Sequence, residues 1–437
     1  MWYSLPMKTR NLLIIAAIIT ICLFAGQAQA FADSDELDLS GESAVLMNLE
    51  DGEVLYEKNA REIRDPASLT KILTLMIVLD TLDMDQEVTV PDSVDNSGTS
   101  IYLVPGEKLT VEELVYGMML KSGNDAAQIL ALEAGDSQEH FSEMMNARAK
   151  ECGAEDTDFK NPNGMNEDPN ALNWTTAYDL ALITREAMKD ERYREIVATK
   201  KYTIPATNKS EERVLKNSNV CIRGHKMRSI NGEKRPLKYE GCTGGKTGHS
   251  STAGYCFMGT AKRDNMELVG VSLHASGYSA RYIDVIKMWD YGFDHFKTYT
   301  AVKGGDVLGS QKVRGGSLSE VDFGVMEDMS ITVAKDDEVE HNIATSTKLY
   351  SKELTAPISK GDVVGIVEAC DEEGNVIATA DLCALEDVDK GWILSRFGVA
   401  DEDAGVYILM FSALVILILI IVIIVRLRRG KSAKDLN

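Results

Sequence analysis

Proline, cysteine and histidine are scarce in this chain, and positive charge is the minority sign. Of 437 residues, 9 are Pro, 7 are Cys and 6 are His, with 46 Lys+Arg against 68 Asp+Glu and a formal net charge of −22. With 34 Gly and 44% apolar residues, this composition excludes a collagen, a low-complexity disordered chain and a disulfide miniprotein. No C-x-x-C and no Cys/His cluster is present, so no zinc site and no other metal or cofactor is expected. The acidic surface lacks the basic footprint that nucleic acid requires, so nucleic acid is excluded as a partner. Long apolar runs are missing from the middle, which excludes a multi-span transporter. The length, divided by ~150, gives about three domain-sized units.

What charge and hydrophobicity there is lies unevenly. Residues 1–30 carry Lys8 and Arg10, an apolar run from Leu12 to Ala25, and Ala28-Gln29-Ala30 as a small-x-small cleavage site: an export signal. Val406 to Val425 is a second apolar run, long enough as a helix to cross ~30 Å of hydrocarbon. Asp401, Glu402 and Asp403 precede it, and Arg426, Arg428 and Arg429 follow. Charge asymmetry of this kind leaves a basic tail, 426–437, in the cytoplasm and the acidic body outside. The expected localisation is therefore a cell membrane, anchored through the C-terminal helix at 406–425.

Within the body, residues 40–58 read as a strand pair about Asp51-Gly52. Apolar spacing predicts helices over 68–82, most of 111–134, 141–152, 175–188 and 280–293, and a strand over 268–273. Strands, helices, then strands predict an α+β domain over 35–297, with helices packed on an antiparallel sheet. From about residue 299 short strand-like runs alternate with turns, predicting a small all-β domain over 299–397. If the exported chain forms disulfides, spacing offers Cys221/Cys242 and Cys370/Cys383 as the partners, and six free thiols read equally well from the sequence.

Three short motifs carry candidate chemistry. Ser68-Leu69-Thr70-Lys71 follows Pro66 at a helix start, and positions i and i+3 share a helix face. A serine is a weak nucleophile without a base, and a lysine serves if burial and neighbouring cations depress its pKa. Ser122-Gly123-Asn124 offers a second hydroxyl, able to relay a proton, and an amide. Lys246-Thr247-Gly248, on a strand, offers a cation and a hydroxyl for a carboxylate and a glycine that does not block approach. Each motif alone is commonplace. Together, in this order, with 54 residues from Ser68 to Ser122 and 124 from Ser122 to Lys246, they form the set of the penicillin-recognising serine enzymes.

With Pro66-Ala-Ser-Leu-Thr-Lys71, Leu120-Lys-Ser-Gly-Asn-Asp-Ala-Ala127, Asn161-Pro-Asn-Gly164, Ala177-Tyr-Asp-Leu-Ala181, Lys246-Thr-Gly-His249 and Tyr291-Gly-Phe293, the sequence resembles the low-molecular-mass penicillin-binding proteins, the serine-type D-alanyl-D-alanine carboxypeptidases. Glu353-Leu-Thr-Ala-Pro357 and Val363-Val-Gly365 resemble that family's small β domain, so the likeness spans roughly residues 35–395. It implies a β-lactamase/transpeptidase-like domain, then an all-β domain and a transmembrane helix. It implies Ser68 as acylated nucleophile, Lys71 as its base, and Ser122 on the proton path with Asn124 binding the substrate amide. The N–H groups of Ser68 and His249 would form the oxyanion hole, and Lys246, Thr247 and Arg281 would hold the terminal carboxylate. Gly248 would leave room for the substrate. The implied partners are a peptidoglycan stem peptide ending in D-Ala-D-Ala and, as inhibitors, β-lactam antibiotics.

The sequence departs from the family at Asn173, where a His is often found, and in having Ser-Gly-Asn where others have Ser-Asp-Asn. Glu167 to Asn173 is similar to the deacylating loop of class A β-lactamases, but its gap is longer and it reads as a plain loop. Alternatives left open are a DD-endopeptidase, a β-lactamase, and a wall-binding protein without activity. His140, His225, His274, His295 and His341 carry no assignment.

Overall fold

The hairpin read from residues 40–58 forms, and its first strand becomes internal to a larger sheet. The computed structural model describes residues 37–165, 172–336, 343–371, 373–391 and 401–432, so the export signal and the end of the basic tail lie outside the described residues. The chain divides into two units, Met1–Asp294 and His295–Asn437.

The first unit is built on five antiparallel strands: β1 (Ser43–Asn48), β2 (Val54–Lys58), β3 (Cys242–Ser250), β4 (Gly254–Arg263) and β5 (Met266–Ala275). Their order is β2-β1-β5-β4-β3, so β3, which carries Lys246-Thr247-Gly248, is an edge. All six residues of β1 are buried, because both faces of the sheet are covered. Val45 and Met47 face the main helical core, while Leu46 meets the closing helix at Gly292. Gly259 and Gly270 are register partners; a Cβ on Gly259 would crowd Trp289 and one on Gly270 would crowd Val285, so the bare backbones let α7 pack closely with that indole buried.

Helices α1 (Lys71–Thr81), α2 (Val111–Leu120), α3 (Asn124–Gly135), α4 (Gln138–Glu151), α5 (Ala177–Ala187) and α6 (Glu191–Ala198) come between β2 and β3, and α7 (Ala280–His295) closes the unit. Helix α1 is apolar nearly all round and contacts α3, α4, α5 and α6, as a central helix should. Each fully buried Leu or Ile on it contributes about 1.5–3 kcal/mol, which offsets the cost of carrying Lys71 inside. The helical run predicted over 111–134 is broken into α2 and α3, because Ser122 takes φ +63° and ends the helical path at the motif itself. Thr110 and Glu113 form a capping box that fixes where α2 starts.

The second unit has a six-stranded sheet. Its order is Ala344–Leu349, Val363–Cys370, Val376–Ala384, Glu320–Gly324, Gly309–Arg314, Leu354–Thr355. Phe296–Val302 pairs with Met329–Ala334 beside it. Val321, Phe323, Val367 and Leu382 are in its own core. This is the expected all-β domain. A helix, Asp401–Ser432, follows, and its stretch Gly405–Arg426 is long and apolar enough to cross a membrane.

Neither candidate disulfide is formed: Cys221, Cys242, Cys370 and Cys383 are all free thiols. Hairpin register explains the second pair. Cys370 lies opposite Val376 and Cys383 opposite Val363, at opposite ends of the same two strands. In the first pair, the Cys242 thiol is turned to the Gly244 carbonyl and the Asn219 amide instead.

Candidate active site

Ser68 sits in a tight 3-10 turn, Ala67–Thr70, that leads directly into α1. The turn is strained, with Ala67 at φ +45°, and is held from both sides. Asp65 accepts the Ala67 N–H at 2.8 Å and the Thr252 hydroxyl at 2.6 Å, tying the turn to the loop after β3. Sequence reading missed Asp65, since its partners are a backbone amide and a hydroxyl 187 residues away. Gly248 passes so close that a Cβ there would lie 2.7 Å from the Pro66 carbonyl oxygen. Gly164, at φ +79°, is tighter still: its Cβ would lie 1.9 Å from the Ala67 carbonyl oxygen.

Lys71 follows on α1 and is completely buried. Its Nζ has three oxygen neighbours: Ser68 Oγ at 3.0 Å, Asn124 Oδ1 at 2.7 Å and the Asn163 carbonyl at 2.9 Å. Asn124 is oriented by donating Nδ2–H to the Ser97 carbonyl at 3.1 Å, which leaves Oδ1 for Lys71. Nδ2 also meets Met165 Sδ. Burial, then the nearby Lys246 charge, pushes Lys71 well below its ordinary pKa, and Asp125 opposes that shift. A neutral amine has two N–H bonds and one lone pair. Asn124 Oδ1 and the Asn163 carbonyl take the N–H bonds, so the lone pair falls toward the Ser68 hydroxyl. The arrangement can draw the proton from Ser68.

Lys246, buried on β3, donates to Ser122 Oγ at 2.8 Å and to the Thr247 carbonyl at 3.0 Å. Burial, and then the Arg281 charge, pushes its pKa down to about 7. Thr247 Oγ1 lies 3.0 Å from Ser218 Oγ. His249 is exposed, with its ring 4.3 Å from that of Tyr255.

Arg281, at the start of α7, reaches the backbone of β3 and β4. Its guanidinium donates to the carbonyls of Gly248 at 2.7 Å and Cys256 at 3.3 Å, and to the Tyr282 hydroxyl, with the rings of Tyr255, Tyr278 and Tyr282 around it. The Ser68–Lys71, Ser122–Asn124 and Lys246–Gly248 segments thus line one locus. Arg281 joins it through the backbone of β3.

Asp125, next to Asn124, is a further residue without a role in the sequence reading. Its fully buried carboxylate accepts from Ser100 Oγ at 2.7 Å and from the N–H groups of Ile101 and Leu103. These bonds fasten the 97–103 segment over the motif. Of the loop Glu167 to Asn173, residues 166–171 lie outside the described residues. Among the described residues no cluster of His, Cys, Asp and Glu could hold a metal ion.

Residues 29–277 match the family model described as D-alanyl-D-alanine carboxypeptidase, and residues 296–390 match that of the penicillin-binding protein 5 C-terminal domain. The chain is 31% identical over 394 residues to D-alanyl-D-alanine carboxypeptidase DacF of Bacillus subtilis, covering 88% of this chain and 96% of that one. It is 31% identical over 392 residues to DacC of Escherichia coli, covering 86% and 91%. Penicillin-binding protein 5 from Haemophilus influenzae superposes with a TM-score of 0.61 at 27% identity, over 80% of this chain and 98% of that one. The chain belongs to the D-alanyl-D-alanine carboxypeptidase family of serine-type enzymes.

Proposed function

We propose that this protein removes the C-terminal D-alanine from peptidoglycan stem peptides through an acyl-enzyme on Ser68. The observation that carries the reading is the Lys71 amine, buried, held by two oxygens that can only accept, and 3.0 Å from Ser68 Oγ. Lys71 takes the Ser68 proton as Oγ attacks the carbonyl of the penultimate D-alanine. The backbone N–H groups of Ser68 and His249 stabilise the resulting oxyanion. Ser122, hydrogen-bonded to Lys246, delivers the proton to the departing D-alanine nitrogen, and the C–N bond breaks. Water then cleaves the Ser68 ester and restores the enzyme. Lys246, Thr247 and Arg281 hold the terminal carboxylate, Arg281 also donating to the Gly248 carbonyl of β3, and Asn124 holds the substrate amide. β-Lactams, which offer a cyclic amide to the same serine, stall it as a stable adduct.

The helix Gly405–Arg426 anchors the chain in the cell membrane. The acids before it and the arginines after it support a body on the outer side and a cytoplasmic tail.

Labelling with a fluorescent penicillin tests the reading. The native chain forms one long-lived adduct and releases D-alanine from a D-Ala-D-Ala peptide, and Ser68→Ala does neither. Undiminished D-alanine release by the variant refutes the nucleophile, and rapid repeated turnover of the penicillin points to a β-lactamase instead.

A further inference from the structure

We propose that Asn173 is a positioning residue for acylation: its side chain holds the 160–165 turn so that the Asn163 carbonyl aims the Lys71 lone pair at Ser68. This rests on the reading of Lys71 as the base of Ser68.

Asn173 is completely buried, and both ends of its amide are engaged. Oδ1 accepts the N–H groups of Lys160 at 2.8 Å and Asn161 at 3.1 Å. Nδ2 donates to the Asn161 carbonyl at 2.9 Å and to Thr70 Oγ1 at 3.1 Å. One side chain therefore bridges the start of the turn and the residue that precedes Lys71 on the helical path. Thr70 Oγ1 in its turn donates to the Ala67 carbonyl, inside the turn that carries Ser68.

The rest of the 160–165 turn is knotted by its own side chains. Asn161 Oδ1 accepts the Gly164 N–H at 2.7 Å, Asn163 Oδ1 accepts the Met165 N–H at 2.8 Å, and Thr74 of α1 donates to the Pro162 carbonyl at 2.6 Å. The knot meets the base directly through the Asn163 carbonyl on Lys71 Nζ. A carbonyl cannot donate. It must receive an N–H from the amine, and that fixes where the lone pair goes. A group that accepts at one end and donates at the other, such as the amide of Asn173, can serve two backbone N–H groups and two oxygens at once, which suits it to this position.

Substitution at Asn173 separates this role from a purely structural one. In Asn173→Ala the turn loses its anchor and the Asn163 carbonyl its fixed aim. We expect the rate of acylation by fluorescent penicillin to fall about 10- to 100-fold, as small misplacements of reacting groups do. Loss of an oxygen that favours the ammonium also lowers the Lys71 pKa, so the acid limb of the acylation-rate profile moves to lower pH. The other charges facing Lys71, Lys246 on β3 and Asp125 on α3, are unchanged in the variant.

Asn173→Asp keeps the acceptor for Lys160 and Asn161 but sets an oxygen against the Asn161 carbonyl. It is expected to acylate slowly too, with the acid limb moved to higher pH by the added negative charge. It also serves as the readout if the alanine variant does not fold. Each variant is measured as the full-length chain in detergent, with its unfolding followed alongside. A folded variant that acylates at the native rate, or that slows without any shift of the acid limb, overturns the positioning role. Lys71→Ala is run in parallel. If it acylates normally, the base assignment itself fails; if it is inactive while both Asn173 variants behave as native, only the Asn173 role fails.

Discussion

Replacing Lys246 with methionine should make the protein more stable in neutral solution and less stable in alkali. Lys246 is buried, and its pKa is lowered from 10.5 to about 7. Between those values the unfolded chain carries the lysine proton and the folded chain has released it. Unfolding therefore takes up a proton, and stability rises with pH across the window. The cost to the fold is full at and below the folded pKa and vanishes as pH approaches the unfolded one. With these two values linkage gives a cost of about 4 kcal/mol at pH 7, about 2 kcal/mol at pH 9 and under about 1 kcal/mol at pH 10.

Methionine fills similar space without a charge and removes that cost, but gives up the hydrogen bonds to Ser122 Oγ and the Thr247 carbonyl. At about 1 kcal/mol for each lost bond, the variant gains about 2 kcal/mol at pH 7 and loses about 1 kcal/mol at pH 10, with the sign changing near pH 9. Urea titration of both proteins in detergent, read by tryptophan fluorescence at several pH values, gives the difference directly. Subtraction cancels the buried cysteines and tyrosines, which also titrate in alkali; Lys71, relieved of the Lys246 charge, shifts upward in the variant and adds to its gain in neutral solution. A difference that stays constant from pH 6 to pH 10 would falsify the claim that burial neutralises this lysine. Penicillin acylation of the variant should fall at every pH, since the carboxylate clamp and the proton path share this residue.

Two more outcomes are expected. Gly164→Ala puts a Cβ 1.9 Å from the Ala67 carbonyl oxygen at a residue with φ +79°, so it should destabilise the fold by about 2 kcal/mol or more and nearly abolish penicillin labelling; native-like melting and labelling together would contradict the close approach. Removal of residues 401–437 should move the protein from the membrane fraction to the soluble one with labelling intact, and a truncated chain that still sediments with membranes would show that something else anchors it.

The side chains proposed to do chemistry were legible in the sequence because such chemistry demands fixed residue types at fixed separations. Ser68 and Lys71 must share a helix face, and Lys246-Thr247-Gly248 needs an edge strand. The groups that arrange them were less legible. The Asn163 carbonyl is a backbone atom, and every residue has one. Asp65 and Asp125 look like ordinary surface acids until their partners, mostly backbone N–H groups and hydroxyls, are seen. Arg281 is expected at the substrate carboxylate, but its contacts with the Gly248 and Cys256 carbonyls were not legible, because separation along the chain does not say which backbone groups a helix start reaches. Cys370 and Cys383 failed as a pair because their spacing was read without the hairpin register that sends them to opposite ends. The break between α2 and α3 is the converse case. Continuous apolar spacing suggested one helix, but the positive φ of Ser122 ended it where a hydroxyl had to turn into the cleft.

The order of the main sheet has a bearing on how such a chain comes into being. Strand β1 is made early, yet one of its two neighbours, β5, is among the last pieces of its unit to be synthesised. The Ser40 amide finds its acceptor, Asp284, 244 residues further on. A nascent polypeptide halted before β5 therefore has two separate hairpins, β1-β2 and β3-β4, and most of its helices, but no strand joining the hairpins into one sheet. Folding of this unit is an event of completion rather than of gradual growth, and until then one edge of β1 stays open to holdases and proteases alike.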